Sequence, residues 1–119
     1  MKIIVAGSRS FTDYSLLERQ LDILLSRKVE RGEPIAIISG GARGADALGE
    51  RYARDRGYEC TIVPADWQKH GRSAGYRRNE QMAAMADAVV CFWDGQSPGT
   101  RHMLDIARNK GLALRLITV

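Results

Sequence analysis

Five short apolar runs alternate along this chain with stretches whose apolar residues recur at helical spacing, and few folds accept that order. Lys2 to Ala6 reads as a first strand. Leu16, Leu17, Leu21, Leu24 and Leu25 then mark a helix, with Thr12 or Asp13 as its cap. Gly32 and Pro34 close that helix before a second strand, Ile35 to Ser39. A second helix runs from about Ala45 to Arg56 with Ala45, Leu48, Tyr52 and Ala53 on one side, and stops at Gly57. Tyr58 to Val63 is a third strand, halted by Pro64. Residues Ala65 to Gly75 read as an irregular loop over the sheet edge. A helix from about Tyr76 to Met85, a strand from Ala88 to Trp93, a helix from about Thr100 to Asn109 and a last strand from Leu112 to Val119 complete the pattern.

Strands separated by helices of this length pair in parallel and are covered on both faces. Right-handed crossovers then favour an α/β three-layer sandwich with a five-stranded, mainly parallel sheet in the order 3-2-1-4-5. In that order the carboxyl ends of strands one, two and four face one crevice. No linker, repeat or low-complexity tract divides residues 1–119, which read as a single domain. Cys60 and Cys91 both fall in strand-like runs, which predicts two buried thiols in a reducing, cytoplasmic setting. No apolar run is long enough for a membrane span, so no membrane partner is expected.

The joint between the second strand and second helix is Ser39-Gly40-Gly41-Ala42-Arg43-Gly44-Ala45-Asp46. A glycine-bearing turn that opens directly into a helix presents unpaired N–H groups and the positive end of the helix dipole. That combination accepts an anion, above all a phosphate. Gly7-Ser8-Arg9 follows the first strand and supplies a guanidinium fork; Gly99-Thr100 heads the last helix and repeats the phosphate-accepting arrangement. Arg78 and Asn79 open the preceding helix beside the same crevice. Trp67 is the stronger candidate for stacking on a base, while Trp93 suits a structural role. Asp46 and Asp94 are carboxylates near these turns, with Asp46 suited either to bracing its helix or to holding a ligand hydroxyl.

Catalytic chemistry is less specified. His70 and His102 lack a nucleophile and orienting acid at recognisable spacing, and no Cys/His cluster predicts a metal or a cofactor. The formal charge of +4, from 18 Lys and Arg against 14 Asp and Glu, is too mild to mark a nucleic-acid binder by composition.

The ordered set Gly7-Ser8-Arg9, Ser39 to Asp46, Pro64-Ala65-Asp66-Trp67, Gly75-Tyr76-Arg77-Arg78-Asn79, Met82, Ala86-Asp87 and Phe92 to Thr100 resembles the YspA/YpsA-related branch of the SLOG superfamily. The superfamily also holds the DNA-processing and LOG-type proteins. The resemblance covers essentially the whole chain. It implies a Rossmann-like domain of phage or bacterial type that binds, and in some settings senses, a nucleotide or nucleotide-derived ligand. It also implies homo-oligomers and no established reaction. LOG-type phosphoribohydrolases carry a glutamate shortly after a Pro-Gly-Gly-x-Gly-Thr loop. Here Arg78 matches their arginine and Gly99-Thr100 matches the end of that loop, but Arg101-His102-Met103 stands where the acid is expected. Nucleotide binding is therefore the leading expectation, N-glycosidic hydrolysis of a nucleoside monophosphate the alternative, and single-stranded DNA binding the third.

Overall fold

A computed structural model describes residues 1–119. The strands are β1 (Lys2–Gly7), β2 (Ala36–Ser39), β3 (Glu59–Ile62), β4 (Ala88–Trp93) and β5 (Ala113–Thr118). They form one sheet in the order β3-β2-β1-β4-β5, with every neighbouring pair parallel. The expected order therefore holds, and the sheet is wholly rather than mainly parallel.

Alternation along β1 explains the two layers of core. Ile3 and Val5 face one side and join Leu17, Leu21, Leu25, Tyr52 and Ala53 from helices α1 (Tyr14–Glu30) and α2 (Ala45–Arg56). Ile4 and Ala6 face the other side and meet Met82 of α4 (Ala74–Met85) and Met103, Leu104 and Ala107 of α5 (Pro98–Lys110). A central parallel strand must be apolar on both faces, which is why β1 beyond the exposed Lys2 at its start, and β4 throughout, show no polar interruption.

Local signals account for most boundaries. Asp13, rather than Thr12, caps α1, its Oδ1 accepting from Leu16 N at 3.0 Å. Gly57 and Gly111 end α2 and α5 in the left-handed conformation. Pro98 occupies the first turn of α5, where its missing N–H costs no helical bond.

Two expectations are corrected. The segment 65–75 is not a loop over the sheet edge: it holds the one-turn helix α3 (Trp67–His70), a 3₁₀ turn at Gly71–Ser73, and the start of α4. Asp66 caps α3 by accepting from Lys69 N at 3.0 Å, and Gly71 stops it at a φ of 55°. Four residues are too few to show a helical period. Cys60 is exposed, because β3 is an edge strand, whereas Cys91 in central β4 is buried.

Candidate functional site

The carboxyl ends of β1, β2 and β4 open into one crevice of about 710 Å³. Its walls include Gly7, Arg9, Arg43, Asp46, Trp67, Arg78, Asn79, Gly99 and Thr100. A smaller adjoining hollow adds Gly40 and Gly41 and shares Arg9, Arg43, Trp67 and Arg78 with the first. Three separate turns thus meet over one edge of the sheet.

Asp46 and Arg78 sit at the floor. The Asp46 side chain accepts from Ala42 N at 3.2 Å, which folds the glycine turn back onto the helix it precedes. Burial pushes its carboxyl up to about 6, while the Ala42 N–H and the Arg78 and Arg9 guanidinium groups pull the other way. Arg78 is half-buried, and desolvation lowers its guanidinium below the ordinary value against the opposing charge of Asp46. Its Nη1 donates to the carbonyl of Gly40, and its Nε donates to Asn79 Oδ1 at 3.1 Å. A Cβ on Gly40 would stand 2.6 Å from Arg78 Nη1 and 2.8 Å from Asp46 Oδ2, so only glycine lets these groups approach.

Asn79 ties α4 to the start of α5. Buried, it donates from Nδ2 to the Gly99 carbonyl at 3.1 Å and lies 3.2 Å from His102 Nδ1. The first helical bond of α5 is Arg101 N to Ser97 O, and that of α2 is Leu48 N to Gly44 O. The N–H groups of Gly99 and Thr100, and those of Asp46 and Ala47, precede these bonds and remain available at the helix starts.

Other expected contacts lie behind the lining. Ser8 is fully buried and receives Asp94 N on its Oγ at 2.9 Å. Ser39 is buried and donates to Glu50 Oε2 at 2.6 Å while accepting from Gly41 N at 3.1 Å. Gly44 backs against the main chain of Ser8 and Arg9. Trp93 donates from Nε1 to Ser97 O at 3.1 Å, and Arg101 covers its ring. Asp94 accepts from Gln96 N and Ser97 N, bonds that hold its carboxyl below the usual range. These five residues shape the crevice without walling it, and their polar side chains are bonded within the protein, to neighbouring turns or, for Ser39, also to α2.

Sequence reading missed Ser97, Met82, Met103 and the ring of Tyr76 as wall residues. Tyr76, Met82 and Met103 reach the crevice from α4 and α5, whose first residues lie two positions earlier than expected, and Ser97 holds the N-cap position of α5. No group of three His, Cys, Asp or Glu side chains converges as a metal site, and no helix is long and apolar enough to cross a membrane.

Comparison with known proteins agrees with this architecture. Gene 61 protein of Mycobacterium phage D29 is 34% identical over 117 residues, covering 93% of this chain and 91% of that one. DNA processing protein A from Streptococcus pneumoniae superposes on 99% of this chain with a TM-score of 0.77 at 18% identity. The Helicobacter pylori protein of that name, described as binding single-stranded DNA, superposes on 98% with a TM-score of 0.69 at 19% identity. This chain spans only 50% and 64% of those two solved chains, and at such identity they speak for the fold alone. The profile of the YspA, cpYpsA-related SLOG family matches residues 1–70, which hold the Gly7-Ser8-Arg9 turn, the Ser39–Asp46 joint and Trp67. With that match and the phage relative aligned along nearly its whole length, the chain belongs to the YspA, cpYpsA-related SLOG family.

Proposed function

We propose that this protein binds a nucleotide or nucleotide-derived phosphorylated ligand in the crevice at the carboxyl ends of β1, β2 and β4. The observation that carries the reading is the convergence of Arg9, Arg43 and Arg78 with the starts of α2 and α5 on one cavity. Oriented N–H groups and planar guanidinium forks suit phosphate oxygens better than they suit a neutral metabolite. Asn79 ties α4 to the start of α5, and its neighbour Arg78 ties α4 to the turn before α2, so the anion site is pre-organised. Calorimetric titration with a panel of nucleotides tests it. Saturable binding that Arg78→Ala abolishes is expected, and no binding at millimolar concentration removes the reading.

A second reading follows from Asp46. Of the two carboxylates singled out in the sequence, only Asp46 faces the crevice, and its raised value suits a group that moves a proton near neutrality. N-glycosidic hydrolysis of a nucleoside monophosphate would place it beside the departing base. Release of free base by the native protein, lost in Asp46→Asn, separates this reading from binding without turnover. Single-stranded DNA binding ranks third: it is described for the Helicobacter pylori neighbour, and here it would use the same arginines.

A further inference from the structure

The crevice changes character toward its mouth. Its floor is glycine, Asp46 and small polar groups, whereas Trp67 and Tyr76 stand on its wall 55% and 47% exposed. Neither ring is loosely placed. Trp67 begins the capped helix α3, and its indole lies over Gly75, where a Cβ would stand 3.5 Å from Cη2. Tyr76 packs on His102 with ring centroids 4.3 Å apart and planes inclined by 54°.

Trp93 provides the contrast within the same chain. Its indole N–H is bonded to Ser97 and its ring is covered by Arg101 at 5.4 Å. Trp67, held by α3 and Gly75, keeps most of its surface open on the cavity wall, as a stacking surface requires.

The charges around the cavity narrow the ligand further. Arg9, Arg43, Arg72 and Arg78 line it, against the single carboxyl of Asp46. None of these four arginines forms a salt bridge, whereas Arg51, Arg56 and Arg108 on the helices do. Arg77, bonded to Ser73 Oγ, and Arg101, over Trp93, lie outside the lining. Four guanidinium groups therefore share one concave site with a single carboxyl.

We propose that the crevice takes a nucleotide carrying two or more phosphates, its base stacked on Trp67 and Tyr76 and its phosphates held among Arg9, Arg43, Arg72 and Arg78. The proposal rests on the nucleotide-binding reading above and specifies its ligand class. A single phosphate would leave most of the guanidinium excess unanswered, and inorganic polyphosphate would leave the aromatic wall bare. The cavity volume of about 710 Å³ is of the size that encloses such a molecule.

Calorimetry on the full chain, with ATP, AMP, tripolyphosphate and a 20-nucleotide oligodeoxythymidylate as the approximate probe set, tests the proposal. ATP is expected to bind at least about tenfold more tightly than AMP. The double variant Trp67→Ala/Tyr76→Ala should weaken ATP by at least about fivefold and leave tripolyphosphate unchanged. Trp67→Phe, which keeps a ring and guards against misfolding, should recover most of the ATP affinity in the Tyr76 wild-type background. If the double variant binds ATP as the native chain does, the stacking surface is overturned while the anion site stands. AMP binding as tightly as ATP overturns the polyphosphate assignment. Binding that favours the oligonucleotide over ATP and weakens steeply with salt replaces the proposal with a strand. If none of the probes binds, the underlying nucleotide reading falls with it.

Discussion

The backbone N–H of Asp94 donates to the Oγ of Ser8 across 2.9 Å, tying the turn after β4 to the turn after β1. Ser97 Oγ stands 3.3 Å from the same oxygen, so one buried hydroxyl organises two walls of the crevice. Ser8→Ala leaves the Asp94 N–H without its acceptor. A loss of about 1–3 kcal/mol in urea unfolding is expected, and an unchanged midpoint would show that the serine is only filling space.

Gly44 and Gly95 share a positive φ, +78° and +83°, but differ in surroundings. A Cβ on Gly44 would strike the carbonyls of Ser8 and Arg9, whereas nothing lies within 4 Å of one on Gly95. Gly95→Ala should cost about 1–2 kcal/mol, the conformational strain alone. Gly44→Ala should cost more than about 3 kcal/mol because backbone must also move. Equal unfolding midpoints for the two variants would contradict the close approach.

Asp46 gives the protein a pH signature. Its carboxyl, at about 6 in the folded chain against an ordinary 3.8, keeps a proton that the unfolded chain has already released between those values. Its contribution to stability is therefore fully present below about pH 4 and is lost as the pH rises through about 6. The whole effect is on the order of 3 kcal/mol. Asp46→Asn should be more stable than the native chain at pH 7.5 (an approximate working value) and should lose that advantage in acid. A phosphorylated ligand favours the neutral carboxyl, so native affinity should rise relative to the variant's as the pH falls through about 6. Parallel pH profiles for the two proteins would sink both expectations.

Away from the crevice, Tyr52 is buried and donates to Asp22 Oδ1 at 2.6 Å, while Arg56 reaches Asp22 and Glu18. This cluster fastens α2 to α1. Tyr52→Phe should destabilise the fold by about 1.5 kcal/mol and leave ligand affinity untouched; a change in affinity would reveal coupling across the sheet.

The two thiols separate cleanly. Cys60 is exposed on β3, and burial pushes Cys91 up to about 12. One thiol should react with a disulfide reagent in the native state and the second only on unfolding. Two reactive native thiols would place Cys91 outside the core.

Much of this was legible before any coordinates. The strand order followed from apolar alternation and crossover handedness, and α2 and β4 begin and end at their expected residues. The family resemblance named the SLOG branch that the profile match bears out. What escaped has physical reasons. The four-residue α3, capped by Asp66, is too short for a periodic signal, and the missing signal hid the fixed placement of Trp67. An edge strand and a central strand can look alike in composition, which concealed the difference between Cys60 and Cys91. Ser8 and Asp94 sit in the right turns, yet sequence alone could not distinguish a side chain that faces the cavity from one bonded behind it.

Because every strand runs the same way, the rim opposite the crevice carries the short returns at Arg31–Ile35, Gly57–Tyr58, Ala86–Asp87 and Gly111–Leu112. Extra segments grafted into those returns would lengthen the molecule without crossing the mouth of the crevice. The architecture thus separates where such a chain can gain new modules from where its glycine turns converge.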